Sequence, residues 1–108
     1  MNFDTEKMKE KASEASCLLG SMANDKRLMI LCQLVEGEKS VGQLADVLGV
    51  RQPTVSQHLA LLRRDGLVAP RRDAQTQYYS LKGDSARAIL QTLYSEFCAP
   101  SVLSEAIG

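Results

Sequence analysis

Three glycines cut the middle of this chain into pieces whose lengths leave few choices of fold. Gly37, Gly49 and Gly66 each follow a run with apolar residues at helical spacing, the position where a residue free to take a left-handed backbone ends a helix. Between them lie two short segments, Ser40 to Leu48 and Val50 to Asp65. In the first, Ser40 is placed to cap a helix whose Val41, Leu44, Ala45 and Leu48 recur at helical intervals. In the second, Pro53 falls in a first turn, where its missing N–H has no intrahelical partner, and the helix runs to about Asp65. Two helices joined by a turn of three to four residues are the expected result.

The flanks read as simply. Asp4 or Thr5 can open a first helix in which Met8, Ala12, Ala15, Leu19 and Met22 form an apolar stripe, ending near Ser21. Asn24 can cap a second, with Leu28, Leu31, Cys32 and Val35 on one face. Beyond Gly66, Leu67 to Arg72 and Gln77 to Leu81 read as short strands turning through Asp73, Ala74, Gln75 and Thr76, the first weakened by Pro70. Asp84 or Ser85 can open a last helix carrying Ile89, Leu90, Leu93, Tyr94 and Phe97, ending near Cys98, Ala99 and Pro100; Ser101 to Gly108 carry no strong signal. The fold class is mainly α with a small antiparallel β-hairpin, in the order α-α-α-α-β-β-α. That is a winged helix-turn-helix whose hairpin is the wing. Residues 1–108, 44% of them hydrophobic, suffice for one core and one domain, too short for two lobes flanking an active-site cleft.

The formal net charge is zero, yet from Arg51 to Lys82 six basic residues face only Asp65 and Asp73. This segment carries +4 and the remainder −4, an asymmetry that suggests a polyanion-binding face. On a wheel of Gln52 to Asp65, Val55, Leu59 and Leu62 fall on one side with His58 at its edge. Opposite lie Pro53, Gln57, Ala60 and Arg64, with Thr54 and Ser56 on the flanks. Amides and hydroxyls that bond base edges, a small residue that admits close approach and an Arg for guanine or phosphate suit a DNA-reading helix. Polar outer faces are common to all surface helices. The preceding helix, the Arg71-Arg72 pair on the hairpin and the local charge shift the balance to double-stranded DNA. Ser40, Arg51, Gln52, Thr54, Ser56, Gln57, His58, Arg64, Arg71 and Arg72 are the candidate contacts.

Several classes drop out. No apolar run is long enough to span a membrane and the start is too charged for a secretory signal, so a cytoplasmic protein is expected. Cys17, Cys32 and Cys98 are odd in number and widely spaced, fitting neither a secreted disulfide framework nor a CxxC zinc knuckle. A cysteine-dependent enzyme lacks support, because a nucleophile needs an adjacent base and the sole histidine, His58, lies on the DNA-reading helix. No catalytic residue, metal ligand or cofactor is expected.

The stretch SVGQLADVLGVRQPTVSQHLALLRRDGLV, followed by RRDAQTQYYSL, resembles the winged-helix signature of the ArsR family of bacterial regulators. The resemblance runs from the helix before Asn24 to Cys98. It implies a homodimeric transcription factor that pairs through its first and last helices, about 5–22 and 84–98, and that changes its hold on DNA when an inducer binds. Many members sense metals through a Cys-x-Cys pair in the helix at Val41 to Leu48, or through Asp, His and Glu that include the last helix. Here Val41 to Leu48 hold no Cys and the helix after Asp84 no His, so neither four-ligand shell can be assembled. A three-thiolate site from Cys17, Cys32 and Cys98 is the remaining metal reading.

Cys32 and Cys98, with the segments LCQLVEGE and LYSEFC around them, are similar to the sulfide- and persulfide-responsive branch of the family, the BigR and SqrR type, and to the related redox regulator HlyU. That likeness implies two sensing thiols joined by a reactive sulfur species or an oxidant, with loss of promoter affinity, in a repressor. The alternatives are a general thiol-redox regulator or an anti-repressor of the same fold. A direct disulfide needs Cα atoms within about 7 Å, and each inserted sulfur lengthens the allowed span. Cys32 alone would be an ordinary small apolar core residue, and Cys17 a bystander.

Overall fold

The computed structural model describes residues 2–98. Five helices and three short strands follow in the order α1 (Thr5–Met22), α2 (Asp25–Val35), β1 (Lys39–Ser40), α3 (Val41–Leu48), α4 (Gln52–Arg64), β2 (Val68–Asp73), β3 (Thr76–Leu81) and α5 (Asp84–Phe97). The Asp4 carboxylate accepts from the backbone N–H of Glu6 and Lys7, and the Asn24 side-chain oxygen from Lys26 and Arg27, so both starts carry the expected caps. Ser40 and Gln43 form a reciprocal capping box at the head of α3. Gly49 ends that helix in the left-handed region, φ 68°, and turns the chain toward α4.

The core sits where α2, α3, α4, α5 and the sheet meet. Ile30, Leu31 and Leu34 of α2, Leu44 of α3, and Val55, Leu59 and Leu62 of α4 are all but fully buried, closed by Val68, Tyr79 and Leu90. The spacing of Val55, Leu59 and Leu62 is thus the inner face of α4, leaving Gln52, Ser56 and Gln57 exposed. Arg87 Nη1 donates to the Val35 carbonyl at 3.0 Å and ties α5 to the end of α2. Leu19 lies on an 18-residue α1 that buries only Met22 in the protomer.

The sheet is antiparallel with order β1-β3-β2. The expected hairpin is present, with β2 one residue later at both ends, β3 starting one residue earlier and ending at Leu81 as expected, and Asp73 opposite Thr76 across a two-residue loop. Ala74 opens that loop at φ 56°. The third strand is an addition to the expected order. Lys39 and Ser40 are too few to show a period, and they become a strand only because Tyr79 and Tyr78, far along the chain, offer them a ladder. Helix α5 begins at Asp84 as expected, though Gly83 precedes it and no side chain caps it. Ala99, Pro100 and the following segment lie outside the described residues.

Candidate nucleic-acid interface and thiol pair

On α4, Pro53, Gln57 and Ala60 are exposed on the face opposite Val55, Leu59 and Leu62, with Ser56 exposed and Thr54 half-buried on its flanks, and Gln52 is exposed in the first turn. The side-chain nitrogen of Gln52 lies beside Gly42 in the first turn of α3. The start of α4 and the capped start of α3 are therefore adjacent. Arg51 precedes α4, exposed and with no ion-pair partner among the described residues.

His58 turns toward the start of α2. It is half-buried, and its Nδ1 is buried without a hydrogen-bond partner among the described residues. Burial foremost, then the positive charges of Arg27 and Lys26, hold its pKa below the ordinary 6.5. At the other end of α4, Arg64 Nε donates to Asp65 at 3.1 Å and the Ser21 hydroxyl donates to the same carboxylate at 2.6 Å. These bonds keep Asp65 ionised below its usual range and join the end of α1 to the end of α4. Arg27 Nε adds a bond to the Ser21 carbonyl at 2.8 Å.

The two wing arginines, neighbours in sequence, part company in the sheet. Strand alternation points them to opposite faces, Arg71 opposite Tyr78 and Arg72 opposite Gln77. Arg72 is exposed with no ion-pair partner among the described residues. Arg71 lies with its guanidinium 5.0 Å from the Tyr78 ring centroid and donates through Nε and Nη2 to both Glu38 oxygens, at 2.9 and 2.7 Å. Neither Glu38 nor Tyr78 was legible as a partner, since only the β1-β3-β2 register brings residues 38, 71 and 78 together.

The thiols divide as two and one. Cys32 is half-buried on α2, packed against the core, and Cys98 is exposed just past α5. Burial first, and the like charge of Cys98 second, push the Cys32 thiol up. Cys17 is exposed on α1, in an open groove of about 1020 Å³ shared with Leu18, Leu61 and Arg64. Among the described residues no three His, Cys, Asp or Glu side chains come close enough to hold a metal, so the three cysteines do not converge.

A capped helix, a glycine turn, a second helix with an amide- and hydroxyl-lined outer face, and an arginine-bearing hairpin define a winged helix-turn-helix DNA-binding domain. Residues 24–69 match the family described as bacterial regulatory protein, arsR family. The chain is 44% identical over 96 residues to the transcriptional activator HlyU of Vibrio cholerae, covering 89% of each protein. Its fold superposes on the transcriptional repressor BigR of Xylella fastidiosa with a TM-score of 0.85 at 41% identity, over 91% of this chain and 100% of that one. A homodimeric winged helix-turn-helix DNA-binding domain from Mycobacterium bovis matches with a TM-score of 0.72 at 27% identity, over 89% of each. This chain belongs to the ArsR family and is a transcriptional regulator of the BigR and HlyU type.

Proposed function

We propose that the protein is a homodimeric repressor, acting in the cytoplasm, whose grip on promoter DNA is released when reactive sulfur species or oxidants join Cys32 to Cys98. Gln52, Thr54, Ser56 and Gln57 read bases. Arg51 and Arg72 meet phosphates, with Ser40 at the head of α3 and His58 at the inner edge of the face. Arg64 and Arg71 add to them when they leave Asp65 and Glu38. The features that support the switch are a half-buried thiol on α2, pushed up by burial and then by Cys98, and an exposed thiol at the end of α5, on two helices that Arg87 ties together.

The chemistry balances without a metal. A thiolate from one cysteine attacks the outer sulfur of a persulfide, taking that sulfur and expelling the carrier thiolate. The second cysteine attacks the resulting protein persulfide at its inner sulfur, closes a disulfide and expels hydrosulfide. Two thiols are oxidised by two electrons, the transferred sulfur is reduced to sulfide, and the thiol protons leave with the two departing groups. Similarity to both an activator and a repressor keeps a second reading in view, in which the same DNA face displaces another repressor.

Cys32→Ser and Cys98→Ser should each bind promoter DNA as the parent does but keep that affinity after treatment with an organic tetrasulfide. If both variants still lose affinity, the thiol switch is wrong. Intact mass after peroxide and after tetrasulfide separates the inducers: a disulfide, two hydrogens lighter, after both treatments marks a general redox sensor, while a disulfide or a bridge with added sulfur formed by tetrasulfide alone marks a sensor of reactive sulfur.

A further inference from the structure

The wing of a DNA-binding domain is ordinarily where a cation is left free, yet Arg71 is tied twice over. Its side chain crosses the outer face of the sheet along the row Arg71, Tyr78, Ser40 set by the strand register. It passes over the Tyr78 ring and ends on Glu38, two residues before the cap of α3, with both carboxylate oxygens engaged. The Glu38 carboxyl is held below its ordinary range by those bonds. An isolated surface ion pair contributes little, but a bidentate guanidinium–carboxylate pair backed by a ring is fixed in direction as well as charge.

We propose that Glu38 withholds Arg71 from DNA: it is a positioning residue that sets how many cations the wing presents and pins the wing to the head of the helix-turn-helix. Arg72, on the opposite face and unpaired among the described residues, is then the wing's standing phosphate contact. Arg71 is a reserve cation that DNA gains only by displacing the carboxylate. A phosphate offers the same bidentate oxygen pattern as Glu38, so the exchange conserves hydrogen bonds while it exposes one acid. This rests on the DNA-binding face described above.

The test is the salt dependence of affinity for a mixed-sequence duplex, compared among the parent, Glu38→Gln and Glu38→Gln/Arg71→Gln. Each phosphate neutralised steepens the slope of log affinity against log salt by about 0.9. Glu38→Gln should therefore bind more tightly at low salt and lose roughly 3.5-fold more affinity than the parent over a fourfold rise in salt. The double variant should fall back from that steeper slope by the same amount. The Glu38–Arg71 pair is exposed, so thermal melts should show all three proteins folded. A Glu38→Gln slope equal to the parent's overturns the proposal. So does a double variant that keeps the steeper slope, because loss of the acid alone would then account for it. A parent affinity indifferent to salt overturns the DNA-binding face itself, and the withholding of Arg71 with it.

Discussion

Below pH 6.5, the ordinary value for an imidazole, His58 places a charge cost on the folded state. Its pKa is depressed by burial and by Arg27 and Lys26, so the unfolded chain takes up the proton first. The stability tied to the neutral ring is present above 6.5 and is lost as pH falls toward the folded value. Urea unfolding between about pH 7 and pH 5 should show this loss in the parent and a shallower one in His58→Gln; parallel curves would remove His58 from the account. The position of His58 at the edge of the apolar stripe was legible from the wheel. Its neighbours were not, because Lys26 and Arg27 belong to another helix. The same limit applies to Cys32, whose place on the inner stripe of α2 follows from periodicity while what faces it from α5 depends on how that helix packs.

At the scale of the element, the wing shows how local chemistry and pairing share control. A two-residue hairpin loop with positive φ at its first residue has the pattern of a type II′ turn, which favours glycine there, yet the chain uses Ala74 at φ 56°. A left-handed alanine costs about 1–2 kcal/mol, partly offset because glycine loses more freedom on folding. Ala74→Gly should raise stability by roughly 0.5–1 kcal/mol, seen as a higher urea midpoint at unchanged slope. An unchanged or lower midpoint would mean that the turn is relaxed as it stands. The helices were readable to within a residue or two because caps and glycines mark their ends. Strand β1 was not, since two residues carry no period and their partner lies about forty residues away.

For the whole molecule, the apolar stripes at the two ends of the chain remain uncovered in one protomer. Leu19 is 53% exposed, Tyr94 60% and Phe97 82%, on helices that bury little of themselves. Such surface on a small domain marks an interface. Two recognition helices in successive major grooves need two copies of the chain, so a second protomer covering α1 and α5 satisfies both demands. Leu19→Glu, a change at an exposed position that leaves the protomer core intact, should shift sedimentation from dimer to monomer and weaken operator binding by at least tenfold. A dimer that survives with full affinity would place the interface elsewhere. The Ser21 to Asp65 bond joins α1 to the end of α4, giving such an interface a direct connection to the DNA-reading helix.

By itself the sequence determined the helices, their inner faces, the turn between α3 and α4 and the sign of the charge along α4 and the wing. Caps, glycine stops and periodicity act within a few residues of one another and need no partner to be read. The tertiary structure alone decided which polar groups are spent internally on distant partners: Arg71 on Glu38 and Ser21 on Asp65, with His58 turned against α2. A charge count cannot distinguish a cation offered to DNA from one already neutralised by a residue distant in the chain, because that pairing is made by strand register and helix packing.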